Sequence, residues 1–262
     1  MGRGAVAIAL VLTACAGGAG RRPELLVAAA ASLTEALEEI GSAYTRASGV
    51  TMSFSFGASN ALARQLTAGA PADVFISADD AQMAFAARHE AVDAATIVPI
   101  VGNELAVIVA SDASHVPRGA ADLLSDSIRR VAMGNPSAVP AGVYGRAYFV
   151  KIGLWEQLAP KVVPTATVRA ALAAVTSGAA DAAVVYRTDL AETRGERLAF
   201  AISGPAAPVI VYPAAVARRS RNPAAARAFL EYLQGEDAQR TFARRGFVSH
   251  RDPRRGHTTP AQ

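Results

Sequence analysis

From Glu24 onward the chain alternates short apolar runs with stretches of helical period. Apolar runs at 25–28, 51–56 and 73–76 predict strands, and the 3.6-residue spacing between them predicts helices from about residue 33 and from residue 61. After Ile100 the pattern restarts, with strands expected at 105–110, 130–133 and 182–186 and helices at 142–152 and 168–177. A last strand is expected over 208–217, and the helical stretches 223–233 and 237–244 are expected to fold back on the first unit. This alternation predicts an α/β fold of two units, each a mixed, mostly parallel sheet flanked by helices. No fixed-period repeat is present. The polar, proline-bearing end at 251–262 is expected to be disordered.

Composition narrows the function classes. The 262 residues are enough to bury a substantial core without staples. The net charge of +4 is spread along the chain in scattered doublets, with no basic stripe interleaved with aromatics, so a nucleic-acid role is disfavoured. Of the 26 basic residues 24 are Arg, and 61 positions are Ala, a bias that carries little functional weight. One Cys and four scattered His leave no internal disulfide and no cluster with zinc-ligand spacing, so no metal held by protein side chains is expected.

The first residues read as a leader. Met-Gly-Arg precedes an apolar run over 5–12, far short of the ~20 residues a membrane span needs, so 1–22 is expected to be a signal peptide with a small-residue linker. Leu12-Thr13-Ala14-Cys15 resembles the bacterial lipobox. That resemblance implies lipidation at Cys15, an extracytoplasmic protein and acyl tethering to the outer face of a membrane; an ordinary secretion signal with an incidental Cys is the alternative.

Four strand-to-helix junctions gather backbone donors. At the first, Ala29-Ala30-Ala31 runs into Ser32-Leu33-Thr34-Glu35, a capping-box pattern. The second is Phe56-Gly57-Ala58-Ser59-Asn60, where Ser59 or Asn60 can cap and Gly57 permits close approach. The third, Gly134-Asn135-Pro136 through Val139-Pro140-Ala141-Gly142, leads into a helix with Pro140 in its first turn and small residues beside its amides. At the fourth, Thr165-Ala166-Thr167-Val168 opens a helix, and the strand that follows it ends in Tyr186. Helix N-termini beyond strand carboxyl ends are anion sites. With hydroxyls and amides but no carboxylate, His or Lys, the set suits a fully deprotonated oxyanion. Taken singly each junction has a plainer reading: Ser32 only caps its helix, Tyr186 only packs, and Arg64, Arg146 and Arg169 lie on solvated faces.

The segments 28–34, 56–65, 69–78, 134–145, 168–172 and 183–186 resemble, in order, the extracytoplasmic molybdate-binding proteins of ABC transporters, a match running from about 25 to 248. The resemblance implies a hinged periplasmic-binding-protein fold of the class II type that closes on molybdate or tungstate and delivers it to a permease, as a monomer without a cofactor. It implies that Ser32, Ser59 and Tyr186 give hydroxyls and Ala141 and Val168 give amides to the oxyanion. It implies a first lobe of 24–101 plus 213–250 and a second of 102–212. Arg146 stands where a lysine is common, and Asn60 where a small residue is frequent. A receptor for sulfate, phosphate or a phosphonate would use the same kind of donors. An enzyme with Ser32 or Ser59 as nucleophile is disfavoured, because neither lies in G-x-S-x-G and no His or Lys accompanies them. A receptor that has lost its ligand is the remaining alternative.

Overall fold

The computed structural model describes residues 23–192 and 195–249. The expected leader with Cys15 and the expected tail at 251–262 lie outside the described residues. In chain order the elements are β1 (Glu24–Ala30), a 3-10 turn (Ala31–Leu33), α1 (Thr34–Ser48), β2 (Thr51–Gly57), α2 (Ser59–Thr67), β3 (Val74–Ile76), α3 (Asp80–Arg88) and β4 (Val98–Asn103). The middle of the chain holds β5 (Leu105–Ala110), β6 (Val131–Gly134), α4 (Pro140–Lys151), α5 (Trp155–Leu158), β7 (Val162–Thr165), α6 (Val168–Thr176), β8 (Ala182–Tyr186) and β9 (Glu196–Ala201). It closes with β10 (Ile210–Val216), α7 (Pro223–Gln234) and α8 (Glu236–Arg244).

These strands form two five-stranded sheets, ordered β2-β1-β3-β10-β4 and β7-β6-β8-β5-β9. Both are mixed. In the first, β1 pairs in parallel with β2 and β3, while β10 runs antiparallel to β3 and β4. In the second, β6 pairs in parallel with β7 and β8, while β5 runs antiparallel to β8 and β9. The antiparallel half of each sheet comes from the strands next to the crossings between sheets, where the chain reverses through Glu104 and returns through 202–209. Strands β4 and β10, which contain the expected lobe divisions, pair with each other, and the register shifts between Tyr212 and Pro213. Proline has no N–H to give the ladder, which fits a shift there.

The central strands are buried on both faces, which is why their sequence reads as near-continuous apolar runs. Helix α1 sets Ala36, Leu37, Ile40 and Tyr44 into the core, each large side chain worth roughly 1.5–3 kcal/mol. It ends at Gly49, whose positive φ of 75° makes the left-handed cap. One continuous apolar cluster runs through both sheets, and a smaller one lies beneath α2 and α3. The C-terminal helices return to the first sheet as expected: Arg244 and Arg245 reach Glu39, and Val248 pairs with Gly102 beside the crossing. Among the described residues no helix is long and apolar enough to cross a membrane.

Candidate functional site

The carboxyl ends of β1, β2, β6 and the 165–167 loop face one another across the gap between the two sheets. Each leads into a helical N-terminus, whose first amides have no acceptor within the helix. Ala58 precedes α2, Val139 precedes α4 with Pro140 at its first position, and Thr167 caps α6 by accepting from the Ala170 amide at 3.0 Å. The 3-10 turn Ala31–Leu33 supplies the fourth.

These termini enclose a cavity of about 20 Å³. Its lining includes Ser32 and the 30–31 backbone, Gly57 to Ser59, Ala78, Val139 to Ala141, Thr167, Val168 and Tyr186. All five residues expected to bind the oxyanion, Ser32, Ser59, Ala141, Val168 and Tyr186, are therefore brought together from both lobes. A sphere of that volume has a radius of about 1.7 Å, the scale on which four oxygen centres surround the central atom of one tetrahedral oxyanion. No charged side chain is among the lining residues. The walls are mostly methyl groups, a low-dielectric setting that strengthens hydrogen bonds to a charged guest.

Ser59 lies in the first turn of α2, and its hydroxyl oxygen accepts from the Ala78 amide at 2.9 Å. A backbone N–H can only donate, so the Ser59 proton is left to point elsewhere. The Ser32 and Tyr212 hydroxyls are 2.9 Å apart. The Tyr186 hydroxyl is buried without a hydrogen-bond partner, close enough to Tyr212 for each to bear on the other's ionisation. Burial pushes the Tyr186 pKa well up, so its proton stays on as a donor. Asp79 is turned away to cap α3, accepting from the Gln82 amide at 2.7 Å.

Two of the plainer readings are corrected here. Ser32 does not cap α1: it sits inside the 3-10 turn, and α1 starts without a side-chain cap. The capping-box signature fails because Glu35, its other half, is drawn 2.5 Å from Arg169 of the opposite lobe. Arg169 is therefore no solvated face residue; its Nε also lies 3.1 Å from the fully buried Asp189, near enough for an ion pair but misaligned for a hydrogen bond. Arg146 lies over the Trp155 ring and Arg64 is exposed. Asn60 is buried beside Ser59, with its Oδ1 unpartnered.

The residues that support the site escaped sequence reasoning. Asp189 accepts from the Tyr186 amide at 3.0 Å, and burial, opposed by Arg169, pushes its pKa up to about 6. Asn103 donates to the hydroxyls of Thr188 at 2.9 Å and Tyr212 at 3.1 Å. These partners lie 85 and 109 positions apart in sequence, so no local spacing signals them.

Residues 25–248 match the family model for the bacterial extracellular solute-binding proteins. The chain belongs to that family. Among its relatives, the molybdate-binding protein ModA of Escherichia coli is 38% identical over 86% of this chain and 89% of its own. The substrate-binding domain of a putative molybdenum ABC transporter from Clostridium difficile superposes with a TM-score of 0.67 at 33% identity, covering 86% of this chain and 98% of its own. The periplasmic molybdate-binding protein of Azotobacter vinelandii superposes with a TM-score of 0.77 at 23% identity, with the same coverage, a likeness of fold. The two-sheet architecture of this solute-binding protein is thus the two-lobe fold of periplasmic binding proteins.

Proposed function

We propose that this solute-binding protein captures molybdate between its lobes and delivers it to the permease of an ABC transporter. The observation that carries the reading is the convergence of four helical N-termini and three hydroxyls, drawn from both lobes, on a cavity sized for one tetrahedral ion and lined by no charged side chain. Each N-terminus brings roughly half a positive charge as a fixed dipole, so the dianion meets its counter-charge without a cation. The relatives named for molybdate support that ion. Tungstate, of the same charge and nearly the same size, binds through the same donors. Discrimination against the smaller sulfate comes from rigidity: helix amides cannot follow a shrinking ion, and part of the hydrogen-bond set is lost.

The same reading takes 24–101 plus 213–250 as one lobe and 102–212 as the other, with the crossings as the hinge. Because both lobes donate, ligand shifts the open–closed equilibrium to closed. No cofactor takes part, the protein acts as a monomer, and Cys15 carries the lipid that tethers it outside the membrane. Neither Ser32 nor Ser59 has a base among the lining residues to activate it, which supports binding rather than catalysis.

The test is a melting series. Molybdate or tungstate at one hundred times its dissociation constant is expected to add about 2.7 kcal/mol, a rise of roughly 5–10 °C for a chain of this size. Sulfate and phosphate at the same concentration are expected to leave the midpoint unchanged. Equal stabilisation by all four ions would end the molybdate assignment. Ser59→Ala and Tyr186→Phe are each expected to weaken molybdate by about 10–100-fold in titration, the range for one hydrogen bond to a charged group. Titrations left unchanged by both variants would instead point to a receptor that has lost its ligand.

A further inference from the structure

Behind the cavity, buried polar groups from both sides of the hinge form a chain: Thr188, Asn103 at the end of β4, Tyr212 in β10, and Ser32. All four are buried, with at most 5% exposure. One anchor fixes the direction of the two Asn103 bonds. The Asn103 Oδ1 accepts from the Glu104 amide at 2.8 Å, and because a backbone N–H can only donate, the side-chain amide cannot be flipped. Its Nδ2 therefore faces Thr188 and Tyr212, one hydrogen for each, at 2.9 and 3.1 Å. The Tyr212 oxygen is thus already an acceptor from Asn103. Its own hydrogen has the Ser32 oxygen 2.9 Å away. Burial pushes the Tyr212 pKa up, so that hydrogen is retained at every working pH.

We propose that Asn103 and Tyr212 are positioning residues that fix the polarity of Ser32: Asn103 donates to Tyr212, Tyr212 donates to Ser32, and the Ser32 proton is thereby kept free for the cavity. The inference rests on the molybdate reading and deepens it. Ser59 is committed in the same sense by the Ala78 amide. Both serine protons are thereby kept for the guest, which suits an oxyanion that asks only for donors. A Ser32 that donated to Tyr212 instead would turn only lone pairs toward the anion.

The experiment is a pair of double-mutant cycles read by titration with sodium molybdate at pH 7. Tyr212→Phe is expected to weaken molybdate about 10-fold, since the Ser32 hydroxyl loses the partner that orients it. In a Ser32→Ala background Tyr212→Phe is expected to change molybdate affinity less than about 2-fold, because the hydroxyl it acts through is gone. Asn103→Asp, whose carboxylate can only accept, draws the Tyr212 proton away from Ser32 and is expected to weaken molybdate by more than about 10-fold, with most of that loss again absent beside Ser32→Ala. If Tyr212→Phe does not fold, as judged by its melting transition, the Asn103 cycle decides alone. Losses of equal size with and without Ser32 would mean packing, hinge or plain charge effects and would overturn the proposal. A wild-type protein that binds no molybdate would instead overturn the functional reading, and the proposal with it.

Discussion

Gly142→Ala is expected to weaken molybdate binding by more than about 100-fold. Helix α4 enters the site with its backbone pressed on the end of β6: a Cβ on residue 142 would lie 1.7 Å from the Gly134 carbonyl oxygen, 2.5 Å from its carbon and 2.9 Å from the Asn135 carbonyl carbon. These are main-chain atoms, so no rotamer change relieves the overlap. The first turn of α4 must move away, and it carries the Ala141 amide, one residue before the clash, out of hydrogen-bond reach of the cavity. Overpacking of this kind costs about 1–3 kcal/mol or more of stability, while the lost amide and the displaced dipole remove most of one wall's contribution to binding. Val143→Ala, one residue further along and at the surface, is expected to bind as the wild type does. Titration and chemical denaturation of both variants make the check, and near-native affinity in Gly142→Ala would mean that the Ala141 amide plays no part.

Arg169→Ala is expected to be the costliest side-chain truncation at neutral pH, for a reason that pH itself can expose. Its guanidinium joins Glu35 of one lobe to Asp189 of the other, and Asp189 is fully buried. Removing one member of such a pair leaves an uncompensated buried charge, at about 3–5 kcal/mol. Asp189 escapes that cost by taking up a proton. In the native protein its pKa stands at about 6 against 3.8 for the unperturbed carboxyl, because burial outweighs the opposing pull of Arg169. Between those values the folded state binds more protons than the unfolded state, so this group's contribution to stability is full below about pH 4 and is lost as pH rises through about 6. Without Arg169 the native pKa moves higher still. The variant is therefore expected to be strongly destabilised at pH 8 and much less so at pH 5, and to bind molybdate several-fold more weakly because the bridge between lobes is gone. Denaturant titrations of wild type and variant at both pH values measure it; a pH-independent difference would contradict the account.

What could be read from the chain was what local patterning controls. The four junctions were legible because each joins an apolar strand to a helix through small or capping residues, and such transitions are written in adjacent positions. Strands β5 and β8 were legible for their buried apolar runs. Strand β9 was not, since Glu196 to Ala201 is a half-exposed edge with weak alternation, nor was α3, an alanine-rich helix with little amphipathic contrast. Ser32 and Glu35 misled as a capping box because tertiary partners, Tyr212 and Arg169, outbid the local bond. The same kind of non-local pairing hid Asn103, Thr188 and Asp189: a buried polar residue is intelligible only with its partner, and no local spacing in the sequence signals these partners.

Capture of molybdate between the lobes is tested by a crystal structure of the protein grown with molybdate, with diffraction recorded at the molybdenum absorption edge. One strong anomalous peak is expected among the N-termini of α2, α4 and α6 and the 31–33 turn. Its four oxygens should lie about 2.7–3.2 Å from the Ser32, Ser59 and Tyr186 hydroxyls and the Ala141 and Val168 amides. A peak bound elsewhere, or no peak between the lobes at saturating molybdate, would contradict it.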